Sequence, residues 1–108
     1  MTEKISSDLI RGHTDTIILG LLAEEDSYGY AVYKEIIDRS DGEYELKETT
    51  IYASFRRLEK SGNIASYWGD ESQGGRRKYY RITSKGRQQY QTQKSNWEFT
   101  KQILDKLL

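Results

Sequence analysis

The sequence has no cysteine and no apolar run near the length of a membrane-spanning helix. Without cysteine it cannot form a disulfide, a thiolate zinc site or a cysteine nucleophile. A bilayer span needs roughly 20 apolar residues, and the first residues also lack the apolar core of a signal peptide. These absences favour a soluble cytoplasmic protein.

Apolar residues are scarce, since they make up 35% of 108 residues and many of them are tyrosine. The length suits one domain rather than two ordinary ones. A chain this short buries a smaller share of its surface on folding than a larger protein does. The thin core that results indicates that a second chain contributes to stability.

A net charge is also missing, because 17 basic and 17 acidic side chains cancel. The cancellation hides an asymmetry along the chain. Residues 1–46 have four basic and eleven acidic side chains, residues 47–81 have eight and four, and residues 82–108 have five and two. A positive middle behind an acidic front predicts a binding site for a polyanion. Cations scattered over a solvated surface are the alternative.

Histidine occurs only once, as His13, with Thr14 and Asp15 beside it. No further histidine or cysteine stands at a spacing that would complete a metal site or a catalytic group. We therefore expect no enzyme activity, no metal site and no cofactor.

Hydrophobic spacing predicts helices over residues 7–23, from 27 or 29 to 39, and over residues 47–62. The first predicted helix has an apolar stripe, formed by Ile10, Ile17 and Leu21 with Ile18 and Leu22. In the third, Ile51, Phe55 and Leu58 fall on one face at 100° per residue, and we expect this face to point to the core. The opposite face has small, polar and cationic residues: Thr49, Tyr52, Ala53, Arg56 and Lys60, with Arg57 beside them.

This division of the third helix suits the major groove of DNA. The apolar face holds the helix to its domain, and the small residues on the other face allow close approach to bases. Arg56 can bind guanine or a phosphate, and Lys60 can reach the DNA backbone.

Two strands follow, in the segments "NIASYWGDE" and "RRKYYRI", and "SQGG" joins them as a hairpin. Gly74 and Gly75 let the tip turn tightly. Arg76, Arg77 and Lys78 come next, where they can neutralise phosphates or enter the minor groove. A solvated edge strand, in which charge prevents aggregation, is the alternative.

A last helix is predicted over residues 84–108, with Thr83 as its N-cap. Tyr90, Trp97 and Leu104 recur at seven-residue spacing on a helix whose first half is polar. A narrow apolar stripe of this kind favours association with another chain.

The order α-α-α-β-β-α, with a basic third helix and a basic hairpin, is typical of a winged helix-turn-helix. We predict a mainly α fold with a β-hairpin wing (α+β) and one long C-terminal helix for dimerisation. Residues 1–83 would form the DNA-binding domain, and residues 84–108 would form the dimerisation helix, packed with the first helix. The expected partner is double-stranded DNA.

The segments "DSYGYAVYKEI", "TTIYASFRRLEKSGNIASYW" and "GGRRKYYRITSKG" together resemble the PadR family of bacterial transcriptional regulators. The resemblance covers residues 8–108 and is closest to the short subfamily, which includes multidrug-responsive repressors. It implies a winged-helix homodimer whose two wings lie on successive grooves of DNA. The DNA contacts that it implies are Thr49, Thr50, Tyr52, Arg56, Gly75, Arg76, Arg77 and Lys78.

The resemblance also implies a ligand site at Trp97. In drug-binding members of the short subfamily, a tryptophan at this place faces its symmetry mate, and the pair stacks flat aromatic ligands. Leu9, His13 and Thr16 would line the same cavity. Lys101 stands where a drug-binding relative has an acid, which counts against a cationic ligand. A tryptophan that only packs in a dimer interface is the alternative.

The interpretation that these patterns favour is a DNA-binding repressor that acts as a homodimer on an inverted-repeat operator. Its release by a small planar aromatic molecule is an additional hypothesis. Two alternatives stay open: a winged-helix module that docks an acidic protein, and a ligand-binding protein without operator control. Arg56 beside the small Ala53 favours DNA, because a protein groove would favour exposed apolar anchors.

Overall fold

The structure is a computed structural model that describes residues 5–69 and 76–108. Its helices are α1 (Ser7–Ile10), α2 (Thr14–Glu24), α3 (Gly29–Arg39), α4 (Glu48–Lys60) and α5 (Ser84–Leu107). Strands β1 (Ile64–Gly69) and β2 (Arg77–Ile82) form an antiparallel hairpin that pairs Ile64 with Ile82 and Gly69 with Arg77. The predicted mainly helical class with a hairpin wing and a long C-terminal helix is confirmed.

The first predicted helix is not continuous, so this part of the prediction is wrong. Between α1 and α2 the chain makes a 3-10 turn, Arg11–His13. Gly12 lies at its centre and weakens a helix there through its backbone entropy. The Thr14 hydroxyl also donates to the Arg11 carbonyl at 3.1 Å. Side-chain bonds of this kind compete with the regular helical pattern.

One core lies between α2, α3, α4 and the inner face of the hairpin. Ile51, Phe55 and Leu58 of α4 are 0%, 0% and 4% exposed, as their spacing predicts. Phe55 stacks on Tyr80 of β2, with ring centroids 4.0 Å apart. The other buried apolar residues are Ile18, Leu19, Leu22, Val32, Ile36, Leu46, Ile64 and Ile82. The apolar face of α4 is therefore held by the domain, and its other face stays at the surface.

The apolar stripe predicted on the first helix is divided between two surroundings. Ile18 and Leu22 are buried in the core. Ile17 and Leu21 are half-buried and line a groove that α5 borders. Because α2 is apolar on nearly all sides, it is covered both by the core and by α5.

A third segment of chain extends the hairpin. Ser27, in the loop between α2 and α3, forms an antiparallel bridge with Tyr80. The Ser27 N–H donates to the Tyr80 carbonyl at 3.1 Å, and the Tyr80 N–H donates to the Ser27 carbonyl at 2.8 Å. This pairing was not predicted from the sequence, since a single bridge has no periodicity. The bridge fixes the hairpin next to the amino end of α3.

The start of α5 is packed against the chain that follows α4. The prediction of Thr83 as N-cap is confirmed, because its hydroxyl accepts from the Gly86 N–H at 3.1 Å. The same hydroxyl donates to the Gly62 carbonyl at 2.7 Å. A Cβ on Gly86 would lie 2.0 Å from the carbonyl oxygen of Asn63. This junction therefore has no room for a larger residue.

The rest of α5 extends away from the core, and Gly86 is the buried residue of its 24. Tyr90 in the first half packs on α2, where a Cβ on Gly20 would lie 2.9 Å from the Tyr90 ring. The second half exposes its large apolar side chains: Trp97, Phe99, Ile103, Leu104, Leu107 and Leu108. Within one chain, this half of the helix has little to pack against.

Candidate nucleic-acid interface

The face of α4 that points away from the core has the residues predicted to contact DNA. Thr49, Thr50, Arg56 and Lys60 are exposed, and Tyr52 is 42% exposed. Arg56 and Lys60 have no hydrogen bond or ion pair with any other described residue. Their charges are therefore available to an anionic partner.

Arg57, which borders this face, is held by α2. Its guanidinium donates to the Asp15 carboxylate at 2.8 and 3.3 Å. The buried Ser54 hydroxyl also donates to the Asp15 carboxylate. The hydrogen bonds to Asp15 raise the pKa of Arg57. Sequence reasoning missed this link between α2 and α4, and a serine on the core face of α4 was the one available signal.

Strand alternation places two cations of the hairpin on opposite faces. Lys78 lies on the face of the core residue Tyr80, with its ammonium 5.6 Å from the centroid of that ring. Arg77 lies on the other face, with its guanidinium 4.1 Å from the ring centroid of Tyr28. Both side chains are exposed. The two faces of the hairpin therefore both contribute positive charge.

Arg76 stands just before β2, at the edge of the described part of the chain. Its guanidinium lies 5.5 Å from the ring centroid of Trp68, which is 56% exposed on β1. Trp68 is the register partner of Lys78. Trp68 was not among the residues predicted for this surface, although its register in the hairpin is a signal for it. Gly75, also predicted to contact DNA, lies outside the described residues.

Tyrosines pack the face of the hairpin that bears Arg77. Tyr67 and Tyr79 stack with ring centroids 5.7 Å apart, and Tyr28 meets Tyr79 edge-on at 5.4 Å. The Tyr67 hydroxyl donates to the Asp26 carboxylate at 2.5 Å, and this hydrogen bond raises the pKa of Tyr67. The cluster fixes the hairpin to the loop before α3. The Tyr28 ring of this cluster also packs against the guanidinium of Arg77.

Tyr52 lies across the amino end of α3. Its ring meets Phe55 edge-on, with centroids 5.9 Å apart. A Cβ on Gly29 would lie 2.3 Å from the Tyr52 hydroxyl oxygen. The ring therefore touches both α3 and α4 and still presents an edge to solvent.

A groove of about 1130 Å³ lies between α1, α2 and α5. Four residues predicted to hold a ligand line it: Leu9, His13, Thr16 and Trp97. The His13 ring meets the Trp97 ring edge-on at 4.8 Å. Lys101 does not line the groove, and its ammonium lies 5.9 Å from the Trp97 centroid and 3.1 Å from the Glu98 carboxylate. The structure thus brings four of the five predicted residues together.

Ion pairs border the groove where Glu24 and Arg39 line it. The Arg39 guanidinium donates to Glu24 at 2.7 and 2.8 Å and to Glu35 at 2.6 Å. The hydrogen bond from Arg39 lowers the pKa of Glu24. Because these charges satisfy one another, the groove between them and Trp97 offers mainly apolar walls.

Two kinds of site find no support in residues 5–69 and 76–108. No group of three histidine, aspartate or glutamate side chains in these ranges could hold a metal ion. No helix there is long and apolar enough to cross a membrane. The charged surface of α4 and the hairpin is one candidate site, and the groove along α2 and α5 is a separate one.

Comparison with known proteins places these surfaces in a family. The model of the transcriptional regulator PadR-like family matches residues 18–92, which include α4 and the hairpin. A solved transcriptional regulator from Clostridium thermocellum is 53% identical with a TM-score of 0.87, covering 94% of this chain and 96% of that one. A PadR family transcription regulator from Clostridium difficile is 35% identical with a TM-score of 0.77, covering 88% and 97%. An uncharacterised protein of Lysinibacillus sphaericus is 48% identical over 101 residues, 94% of this chain and 93% of the relative.

Proposed function

This chain belongs to the PadR-like family of transcriptional regulators, and from that membership we propose that it represses transcription by binding an inverted-repeat operator as a homodimer. The family consists of regulators and not enzymes, and it implies binding to DNA. The observation that best supports operator binding is the difference between the two faces of α4. Its apolar face is fully buried, while Arg56 and Lys60 are exposed and have no hydrogen bond or ion pair with a described residue.

In this proposal α4 enters the major groove. Arg56 is suited to bidentate hydrogen bonds with guanine, and each such pair contributes about 1–3 kcal/mol of discrimination. Thr49, Thr50 and Tyr52 lie nearer the amino end of α4 and contact base edges or phosphates. Lys60, at the carboxyl end, contacts the DNA backbone and so fixes position without reading sequence.

The hairpin contributes phosphate contacts beside α4. Arg76 and Lys78 reach the DNA from the face that Trp68 shares, and Arg77 reaches it from the face of the tyrosine cluster. Gly75 allows the tip to come near the DNA backbone. Each cation that neutralises a phosphate releases a counterion, so this part of the affinity depends on salt.

A second copy of the chain is the proposed partner of α5. The second half of α5 exposes its large apolar residues in one chain, and exposed apolar surface of this kind is typical of an interaction site. Residues 1–83 would then bind DNA and residues 84–108 would hold the dimer together. A two-fold dimer predicts half-sites about one helical turn apart.

The groove is the proposed site for an effector. A planar aromatic molecule would stack on Trp97 and contact Leu9, His13 and Thr16, with Lys101 near the ring edge. Because α1, α2 and α5 form the groove, filling it would alter the distance between the two winged domains. Such an effect on DNA binding requires a ligand whose affinity differs between the two spacings.

The test of the proposed function is the retention of genomic DNA fragments by the purified protein. We expect the wild-type chain to retain a small set of fragments that share an inverted repeat, and Arg56→Glu to retain none of them selectively. Retention of all fragments alike would contradict operator binding. No retention at all would favour the docking of an acidic protein instead.

A further inference from the structure

Gly29, the first residue of α3, is buried against the side chain of Tyr52. A Cβ at this position would lie 2.3 Å from the Tyr52 hydroxyl oxygen, 2.5 Å from Cζ and 3.0 Å from Cε1. Carbon atoms that are not bonded pack at about 3.5–4.0 Å. Any side chain at position 29 would therefore displace the tyrosine ring.

The backbone does not require glycine at this place. Among the glycines in the described ranges, positive φ occurs at Gly42 and Gly62 and not at Gly29. Glycine is also a poorer helix former than alanine. Glycine at position 29 therefore allows the close approach of the Tyr52 ring, and the backbone conformation is not the reason for it.

Gly29 differs in this respect from Gly86, which is packed as tightly. The obstacle at Gly86 is a backbone atom, the Asn63 carbonyl oxygen, which cannot move without moving the start of β1. The obstacle at Gly29 is the far end of a side chain that is 42% exposed and can swing outward. An alanine at position 29 would therefore move Tyr52 and leave the fold in place.

We propose that Gly29 is a positioning residue that fixes how Tyr52 is presented to DNA, and that it thereby determines operator selectivity. The inference rests on the proposed function, in which Tyr52 contacts base edges or phosphates, and it takes the contact of Tyr52 to be with a base edge. The ring packs against both Phe55 of α4 and Gly29 of α3, and these two contacts define its place. A larger residue at position 29 changes the position of the tyrosine and so changes which base pairs it can contact.

The test compares Gly29→Ala with Gly12→Ala, a control whose Cβ would meet nothing within 4 Å. Affinity is measured for the duplex that the wild-type chain enriches from a random-sequence library, and for a scrambled duplex of the same composition. We expect Gly29→Ala to weaken binding to the enriched duplex on the order of tenfold, as for one lost base contact. Its binding to the scrambled duplex, and both affinities of Gly12→Ala, should stay at the wild-type values.

Thermal unfolding separates the packing of Gly29 from its effect on DNA. We measure the unfolding midpoints of Gly29→Ala, Tyr52→Ala and the double variant. The alanine at position 29 should raise the midpoint in the Tyr52→Ala chain, because it favours the helix, and should raise it less or lower it in the wild-type chain. Equal effects in both chains would overturn the positioning role.

Two further outcomes on DNA would also overturn the proposal. One is an equal loss on both duplexes in Gly29→Ala, and the other is a further loss of selectivity when Gly29→Ala is added to Tyr52→Ala. If Tyr52→Ala itself weakens both duplexes equally, the base contact in the proposed function fails and selectivity cannot depend on Gly29. In that case the unfolding midpoints would still show whether the effect of Gly29→Ala depends on Tyr52. Failure of the base contact and failure of the positioning role are therefore distinguishable.

Discussion

The two ends of the molecule place their apolar side chains in opposite ways. In the winged part, which comprises α2, α3, α4 and the hairpin, Ile18, Ile51 and Phe55 are 0% exposed, and charged residues occupy the outer face of α4. In the distal half of α5, Phe99 is 64% exposed and Leu107 is 75% exposed. The winged part therefore completes its core within one chain, whereas the second half of α5 leaves its apolar side chains exposed. In the proposed dimer, folding and assembly would therefore depend on different elements.

The two ends are joined by a tight junction. Thr83 and Gly86 pack against residues that follow α4, and Tyr90 packs on α2. The start of α5 is therefore held at a fixed place on the winged part. Each of the following changes alters one end of the molecule or the junction between them.

The largest expected effect is on assembly. Replacing Leu104 and Leu107 together by aspartate should weaken self-association on the order of 1000-fold, because unpaired carboxylates would be buried in the interface. The unfolding of the winged part should change little, since neither residue is in its core. Sedimentation velocity across protein concentration measures the effect, with Gln102→Asp on the same helix as control. A double variant that stays dimeric would show that another surface holds the two chains.

A large loss of stability is expected at the junction. Gly86→Ala should lower the free energy of unfolding by about 3 kcal/mol, because the new methyl group meets a backbone carbonyl that cannot move away. Urea unfolding measures the change, and Gly12→Ala is the matched control. A stability equal to that of the wild-type chain would mean that the start of α5 is loosely attached.

A loss of selectivity is expected on α4. Arg56→Ala should cost about 1–3 kcal/mol on the enriched duplex and little on a scrambled one. Arg57→Ala is the matched control: because Arg57 is paired with Asp15, it should lose stability and keep its selectivity. If Arg56→Ala lowers the affinity for both duplexes equally, Arg56 contacts the DNA backbone and not a base.

A smaller effect is expected on the hairpin. Arg77→Ala and Lys78→Ala should each weaken binding to all duplexes alike and make the slope of log affinity against log salt shallower by about 0.9. Lys106→Ala, on the last turn of α5, should leave the slope unchanged. If Arg77→Ala leaves the slope unaltered, the face of the hairpin that bears Arg77 does not contact DNA phosphates.

The smallest effect concerns the groove, where one stacked ring pair contributes about 0.5–1.5 kcal/mol beyond the area that it buries. Trp68→Phe leaves Trp97 as the only indole, so its fluorescence reports on the groove. We expect flat aromatic compounds to quench this signal to saturation and to change affinity for the enriched duplex. If no compound quenches, or if quenching leaves DNA affinity unaltered, Trp97 is a packing residue only.

Prediction from the sequence was most successful for elements that bury one face, because the spacing of apolar residues shows which face that is. The spacing of Ile51, Phe55 and Leu58 is sufficient to orient α4, and a threonine before a polar helix is sufficient to predict the N-cap at Thr83. These features depend on residues within a few positions of one another. The break at Gly12 was less predictable, since a single glycine weakens a helix without requiring it to end.

The contacts that position the candidate site were not predictable in this way. Asp15 reaches Arg57 across 42 residues, and Ser27 pairs with Tyr80 through one bridge. Such contacts depend on which elements become neighbours in space, and a periodicity within one element contains no information about that. The sequence therefore predicted which face of α4 is free, but not what holds α4 in place.

The binding of two chains to one duplex is tested most directly by hydroxyl-radical footprinting on the enriched duplex. We expect two protected regions related by a two-fold axis, with centres about 10–10.5 base pairs apart. Both should be lost at the same protein concentration when Leu104 and Leu107 are replaced by aspartate. A single protected region, or a footprint that the double variant reproduces, would contradict a dimer that places one α4 in each of two successive major grooves.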